Sequence, residues 1–155
     1  MIYFLYIWNN IRKKYSDMIF SEDNKVDTIE TYNPDWDRIN RSLNLIEPFN
    51  KSFFILKNDL GSYIQCAGSK DRLTIEFREY DSEIAFKHFI VGKGEDVSPL
   101  NTVWTQIDCR VGPIRIHNSE VLTIKDAVVI FKAFFNNEIL PLSYKKRNVT
   151  KQYRV

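Results

Sequence analysis

The sequence predicts a single α+β domain, in which a mainly antiparallel β-sheet is packed with flanking α-helices. The 155-residue length is that of one typical domain. Short apolar runs separated by turn signals form one continuous block, and segments with helical periodicity bracket that block rather than alternating with its strands. A composition of 44% apolar and 27% charged residues excludes a disordered chain, a collagen and a coiled coil.

The first 25 residues are predicted to be an N-terminal apolar, amphipathic segment, distinct from a domain at 26–155. Its large apolar residues recur at intervals of four and three, which is typical of a helix with a core-facing stripe. They are Phe4, Trp8, Ile11, Tyr15 and Met18. A strand over residues 2–8 is the alternative. The basic residues follow the apolar run, whereas a secretory signal carries them before it, so no secretory signal is predicted. The run is also shorter than the roughly 20 residues of a membrane span, so no membrane anchor is predicted.

A polar loop is predicted next, at residues 21–25, followed by a first helix. Asn33 would cap this helix and Pro34 would occupy its first position. The helical spacing of Trp36, Ile39, Leu43 and Ile46 gives it an apolar face, and Pro48 would end it.

Six strands are predicted in the central block, over residues 52–57, 62–67, 73–78, 85–91, 102–109 and 114–117. The turn signal at residues 58–61 joins the first two as a hairpin. Apolar and polar residues alternate in the third, which predicts one solvent-facing side. Glycines at 92 and 94 indicate a flexible loop over residues 92–99, without the pattern of a phosphate-binding loop.

The second helix has the clearest sequence signature. Thr123 can cap its first turn while Asp126 accepts from the cap backbone, and the apolar residues that follow bury one side. Those residues are Ala127, Val128, Ile130, Phe131, Phe134 and Phe135. Asn136 and Asn137 end the helix, and the chain finishes in a basic C-terminal tail that is predicted to be solvated.

The net charge of +2 conceals an uneven distribution. Residues 16–108 contain 17 acidic and 10 basic residues, a balance of −7. Residues 109–155 contain nine basic and three acidic residues, a balance of +6. Because the sign of a surface governs which partners approach it quickly, the acidic middle and the basic end are candidate contact surfaces.

Cys66 and Cys109 lie in apolar strand patterns and have neither disulfide-framework nor metal-binding spacing. We expect two buried, reduced thiols in a cytoplasmic protein, with a single buried bridge as the alternative. A thiol nucleophile would need His88 or His117 as its base, yet no nucleophile motif surrounds either cysteine. Ordinary hydrogen-bonded strand histidines are the favoured interpretation.

The densest acidic cluster consists of Glu76, Glu79, Asp81 and Glu83. Paired carboxylates can bind a metal or perform acid–base chemistry, but the strand pattern favours a solvated edge. No closely spaced set of histidines and carboxylates is present. The sequence therefore predicts no cofactor, no metal site and no enzymatic activity.

Four short motifs resemble a known family by their order and spacing. They are Leu60-Gly-Ser-Tyr-Ile-Gln65, Glu120-Val-Leu-Thr-Ile-Lys-Asp-Ala127, Ile130-Phe-Lys-Ala-Phe-Phe135 and Leu140-Pro-Leu-Ser-Tyr144. Over residues 26–150 the chain resembles the CdiI-like immunity proteins of bacterial contact-dependent growth inhibition and polymorphic toxin systems. The resemblance implies a cytoplasmic protein that catalyses nothing. It would bind a cognate toxin domain, a nuclease or deaminase at the C-terminus of an effector, in a one-to-one complex that blocks the active site or substrate path.

Partner-binding residues are expected in the acidic middle, because a toxin that acts on nucleic acid presents a basic cleft. The acidic candidates are Glu76, Glu79, Asp81, Glu83, Glu95 and Asp96. Tyr80 and Trp104 are possible aromatic anchors, with core packing as the alternative for each. The competing function is nucleic-acid binding by the basic C-terminal tail, in which Tyr144 and Tyr153 could stack on bases.

Overall fold

The computed structural model describes residues 17–94 and 102–154, and it confirms the α+β class. The strands are β1 (Met18–Asn24), β2 (Asp27–Tyr32), β3 (Phe53–Asn58), β4 (Tyr63–Gly68), β5 (Leu73–Tyr80), β6 (Phe86–Lys93), β7 (Trp104–Ile107), β8 (Ile114–His117) and β9 (Tyr144–Asn148). The helices are α1 (Trp36–Leu43) and α2 (Ile124–Phe135), and short 3₁₀ turns span Asn118–Glu120 and Thr150–Gln152. Seven strands form an antiparallel sheet in the order β2-β1-β3-β4-β5-β6-β9, and β7 pairs with β8 in a small second sheet.

One side of the large sheet, called here the helix face, packs against α1 and α2. Alternate residues of β1, β3, β4 and β5 meet the buried sides of both helices in the main hydrophobic core. Its fully buried side chains include Phe20, Phe54, Ile64, Ile75 and Phe131. The rings of Phe20 and Phe54 stack with their centroids 5.8 Å apart. This core fixes the strand register, because a slip of one residue would expose every apolar side chain.

The predicted capping box of α2 is present. The backbone N–H and hydroxyl of Thr123 both donate to Asp126 Oδ2, at 2.9 and 3.1 Å. The hydroxyl of Tyr144 donates to Asp126 Oδ1 at 2.8 Å, and Lys93 forms an ion pair with the same carboxylate. Burial alone would raise the pKa of Asp126, but these donors outweigh it and hold the pKa below its usual value. Asp126 therefore connects the start of α2 to β6 and β9.

The opposite side of the large sheet is called here the open face, and the small β7–β8 sheet covers only one end of it. Ile90 of β6 packs there with Ile107, Ile116 and Val149 in a second, smaller apolar cluster. The side chain of Arg110 holds this end in place, since its Nε donates to Asp23 Oδ1 at 3.1 Å. The carboxylate of Asp23 is fully buried and also accepts from the backbone N–H and hydroxyl of Ser52, each at 2.9 Å.

Two predictions for the N-terminal part are corrected by the structure. Residues 21–25, predicted to be a loop, lie largely in strand β1, where Glu22 and Asp23 are buried and paired with Arg38 and Arg110. Met18, predicted to lie on a helical stripe, instead begins β1, and the described residues before the β1–β2 turn belong to the main sheet. Of the predicted apolar stripe, Met18 begins β1, and the other four residues lie outside the described part of the chain.

The first helix begins two residues later than predicted. Its N-cap is Asp35, whose carboxylate accepts from the backbone N–H of Arg38 at 2.7 Å. Asn33 instead adopts a left-handed backbone, with φ of 49°, and its side-chain oxygen accepts from the backbone N–H of Met18 at 2.9 Å. Asn33 thus closes the β2 end of the sheet, because asparagine tolerates this conformation better than most residues.

The predicted solvated C-terminal tail is also corrected, because its first half is edge strand β9, paired with β6. Lys146 donates to Glu79 at 3.0 Å, and the Nη2 of Arg147 donates to Glu120 at 3.0 Å. The hydroxyl of Thr150 accepts from the backbone N–H of His88 at 2.9 Å and so attaches the C-terminal turn to β6. Two of the basic side chains of this segment are therefore neutralised by acidic partners.

Both cysteines are buried and free, as predicted. Cys66 lies in the main core, and burial raises the pKa of its thiol. Cys109 follows β7, and its thiol donates to the hydroxyl of Ser52 at 3.3 Å. None of the helices in residues 17–94 and 102–154 has the length and apolar character needed to cross a bilayer.

Replacing Thr74 with valine is expected to stabilise the protein by about 1 kcal/mol. Thr74 of β5 is buried, and its hydroxyl has no hydrogen-bond partner among the described residues. Valine has the same shape and does not leave an unpaired polar atom in the interior. A shift of the urea midpoint to higher concentration, with an unchanged m-value, would support this. An equal or lower midpoint would show that the hydroxyl has a partner.

Candidate functional site

Three neighbouring strands bring a polar and aromatic cluster onto the open face, beyond the part covered by β7 and β8. The register places Tyr63 of β4 opposite Arg78 of β5, and Arg78 opposite His88 of β6. Because side chains alternate along a strand, Glu76 projects to the same side as Arg78. We call the following six residues the Arg78 cluster: Tyr63, Glu76, Arg78, Phe86, His88 and Tyr153.

His88 is the buried centre of the cluster. Its Nε2 lies 2.7 Å from Glu76 Oε2, and its Nδ1 lies 3.1 Å from the Nε of Arg78. Since a guanidinium can only donate, Nδ1 must be the acceptor, which assigns the neutral tautomer with the proton on Nε2. Both ring nitrogens are therefore occupied, and the imidazole holds Glu76 and Arg78 in fixed positions.

Glu76 is only 8% exposed, and its Oε2 accepts three hydrogen bonds. Besides His88, its Oε2 accepts from the side-chain amide of Gln65 at 3.2 Å and from the hydroxyl of Tyr153 at 3.3 Å. Burial, followed by the nearby charge and hydrogen bond of Glu76, raises the pKa of Tyr153 to about 12. The phenol hydrogen bond to Glu76 therefore persists well above neutral pH.

The guanidinium of Arg78 lies among three aromatic rings. Its Cζ is 4.3 Å from the centroid of Phe86, 5.2 Å from Tyr153 and 5.5 Å from Tyr63. These are distances at which a cation is attracted to an aromatic face. The side chain is half-buried, and neither Nη nitrogen has a hydrogen-bond or ion-pair partner among the described residues. Four N–H donors thus remain available at a rigid, partly exposed position.

Tyr153 reaches the cluster because β9 and the turn after it fold back onto β6. The N–H of Val149 donates to the carbonyl of His88 at 2.9 Å, next to the bond between His88 and Thr150. The ring of Tyr153 then lies 4.1 Å from the imidazole of His88, between centroids, while 41% of the residue stays exposed. The C-terminal turn therefore completes a surface that β5 and β6 begin.

The Arg78 cluster adjoins a shallow hollow of about 330 Å³ on the same face. Tyr63 and Gln65 line its near side, and residues of β1, β2 and β3 line the rest. Lys57 and Glu30 are the charged residues of this lining. A larger cleft, of about 600 Å³, lies on the helix face near the end of α2, beside Glu79 and Lys146.

Among the residues that the structure describes, the predicted acidic candidates do not share one surface. Glu76 is buried in the Arg78 cluster, which corrects the prediction that it lies on a solvated edge. Glu79 projects to the helix face and accepts from Lys146. Asp81 and Glu83 are exposed in the turn between β5 and β6, where Lys87 lies 3.9 Å from Asp81. The remaining two, Glu95 and Asp96, lie outside the described residues.

The two predicted aromatic anchors have different environments. Tyr80 is half-buried, with its ring centroid 5.7 Å from that of Phe86, so it packs beside the Arg78 cluster. Trp104 is 45% exposed on β7. The guanidinium carbons of Arg115 and Arg147 lie 4.9 and 5.7 Å from its ring, so its surroundings are basic rather than acidic.

The described residues form neither a metal-ligand cluster nor a Cys109–His88 pair. Within residues 17–94 and 102–154, no group of three or more His, Cys, Asp or Glu residues could hold a metal ion. The thiol of Cys109 forms a hydrogen bond with Ser52. In His88, Nε2 forms a hydrogen bond with Glu76 and Nδ1 forms one with Arg78. No pairing of Cys109 with His88 as nucleophile and base is therefore formed.

Comparison with protein-family models and curated proteins does not assign this chain to a family. No protein-family model matches it, and no curated protein matches it at a significant level.

Proposed function

We propose that the chain is an immunity protein that binds and neutralises a cognate bacterial toxin domain. The candidate toxin is the C-terminal nuclease or deaminase domain of a contact-dependent inhibition effector, and the complex would contain one copy of each. The order of the sequence motifs over residues 26–150 supports this proposal. In this function the chain binds by complementary shape and charge and performs no reaction.

The observation that carries the proposal is the Arg78 cluster on the open face. Tyrosine and arginine are over-represented among the residues that dominate binding energy at protein interfaces. Here Arg78 and Tyr153 are held in place by His88 and Glu76 before any partner arrives. Because little side-chain freedom remains to be lost, binding at this surface costs less entropy than binding by mobile side chains.

Nucleic-acid binding by the C-terminal residues has weaker support. Phosphate binding needs unpaired cations, and two of the C-terminal cations, Lys146 and Arg147, already form ion pairs with Glu79 and Glu120, whereas Lys151 and Arg154 are exposed. Tyr144 donates to Asp126 and packs at the edge of the main core, so it does not offer a free ring for base stacking. Protein binding through the open face is therefore the better-supported function.

Co-expression with the effector domain encoded immediately upstream tests the proposal. Cells that produce this domain should stop growing, and co-production of the chain should restore growth to the level seen with an inactivated toxin. The same plasmid with a stop codon early in the immunity gene is the matched control. Purified chain and toxin should elute together with the mass of a one-to-one complex. Undiminished killing, together with separate elution, would contradict the proposal for this pair.

A further inference from the structure

We infer that the Arg78 cluster is a carboxylate-binding site, and that its occupant is an aspartate or glutamate side chain on the surface of the toxin domain. This inference rests on the proposed function and names the chemistry that the partner presents to the open face.

Unused donors on a fixed guanidinium are the first argument. The Nε of Arg78 is bonded to His88, which orients the guanidinium plane, and both Nη nitrogens lack partners among the described residues. A planar guanidinium matches a carboxylate through two parallel N–H···O bonds. A half-buried guanidinium with free Nη nitrogens gains more from such a partner than an exposed one does, because fewer water molecules compete there.

The local charge balance is the second argument. Glu76, the acidic member of the cluster, already accepts three hydrogen bonds through Oε2, from His88, Gln65 and Tyr153. Lys57 lines the adjoining hollow, and exposed Lys151 and Arg154 lie close to Tyr153 in the chain. Opposing them, Glu30 also lines the hollow and accepts from its neighbour Tyr32. The formal charges of Arg78 and Glu76 balance each other, as do those of Lys57 and Glu30. The positive excess therefore comes from Lys151 and Arg154 and is only partly opposed by the exposed Asp81 and Glu83, of which Asp81 lies 3.9 Å from Lys87. This excess is complementary to an acid.

The aromatic rings around Arg78 are the third argument. The rings of Phe86, Tyr63 and Tyr153 lie 4.3–5.5 Å from the guanidinium carbon, where they would limit the access of water to a bound carboxylate. A charge pair that is shielded in this way carries more of the binding energy than an exposed pair at the rim of an interface. The predicted arrangement, in which acids of the chain enter a basic toxin cleft, is thus reversed at this site.

The binding experiment uses the purified toxin domain encoded upstream, with its active site inactivated, and isothermal titration calorimetry with each variant. Arg78→Lys keeps the charge but loses the paired N–H donors of the planar guanidinium. The dissociation constant of its complex with the toxin domain should rise roughly tenfold. Arg78→Met also removes the charge and should weaken binding on the order of 100-fold. The matched controls are Arg41→Lys and Arg41→Met, at an exposed position on α1, and each should stay within about twofold of wild type.

A double-mutant cycle then identifies the carboxylate. Each surface Asp and Glu of the toxin domain is replaced by its amide and titrated against wild type and Arg78→Met. One position should show a loss with wild type that disappears with Arg78→Met, because both changes remove the same pair. Strictly additive losses at every acidic position would overturn the inference. Urea unfolding of each variant verifies folding, and if Arg78→Met is unfolded, Arg78→Lys decides the question.

The outcomes separate this inference from the proposed function. If wild type does not bind the toxin domain, both are wrong. If wild type binds and the Arg78 variants bind equally well, the carboxylate site is wrong, whereas the immunity function stands. A single-stranded oligonucleotide that binds wild type, with affinity that falls steeply with salt and is lost in Arg78→Met, would identify phosphate as the occupant and also overturn the inference.

Discussion

Replacing Gly68 with alanine is expected to lower the free energy of unfolding by about 3–5 kcal/mol, a large part of the roughly 5–15 kcal/mol that such a domain possesses. Gly68 ends β4 with φ of +133°, a conformation that residues with a Cβ rarely adopt. An added Cβ would lie 2.7 Å from Ile107 Cγ2 and 2.9 Å from Leu73 Cα, and would also clash with the carbonyl oxygen of Arg72. Strain and crowding therefore add together.

A matched variant, Gly112→Ala, separates these two contributions. Gly112 has a similar φ of +120°, but no described atom lies within 4 Å of the position of its Cβ. This change should cost only about 1–2 kcal/mol, the strain alone. Urea unfolding at neutral pH measures both variants. Equal losses would show that Arg72, Leu73 and Ile107 do not crowd a side chain at position 68.

Replacing Asp23 with asparagine should cost about 2–4 kcal/mol at neutral pH, the second large effect. Asp23 is fully buried and accepts from Arg110 and from both donors of Ser52. An asparagine amide would direct an N–H group at one of these donors and leave the guanidinium without its counter-charge. Asp59→Asn, at an exposed turn position, is the matched control and should stay within about 0.5 kcal/mol of wild type.

The loss in the Asp23 variant should also depend on pH. Burial alone would raise the pKa of Asp23, but the Arg110 and Ser52 hydrogen bonds more than offset burial, so the folded pKa lies below the unfolded value of roughly 3.9. The stabilisation is therefore complete above that unfolded value and is lost as the pH falls through the folded pKa. The difference in unfolding free energy between wild type and Asp23→Asn, measured from pH 7 to as far below the unfolded pKa as the protein remains soluble, should be constant above that pKa and should shrink below it. A difference that is constant over this range would contradict the role given to the carboxylate.

Local patterns predicted much of the fold. The β3–β4 hairpin and the capping box of Thr123 and Asp126 were predictable because the residues that determine them are close in sequence. Strand β1 was not, since Glu22 and Asp23 look like loop residues until Arg38 and Arg110 neutralise them. The alternation of apolar and polar residues in β5 was predicted correctly. Its polar side, predicted to face solvent, is largely buried, because segments distant in sequence pack on that face.

The candidate site was harder to predict from the sequence, because its residues come from distant parts of the chain. His88 was correctly predicted to be a hydrogen-bonded strand histidine, whereas its partners are 10, 12 and 62 positions away in the chain. The basic residues near the C-terminus indicated a solvated tail, and only the pairing of β9 with β6 places Tyr153 against Arg78. Arg78 and Tyr153 are 75 positions apart, and no sequence periodicity could indicate that two such distant residues lie on the same surface.

The two buried thiols allow local opening of the structure to be measured by chemical labelling. A thiol-reactive dye can label Cys66 or Cys109 only when the surrounding structure transiently separates, so labelling rates report the free energy of that separation. Single-cysteine versions would follow the centre of the large sheet and the junction with the small sheet independently. Adding the proposed partner domain during labelling would then reveal whether its binding rigidifies one region, both regions or neither.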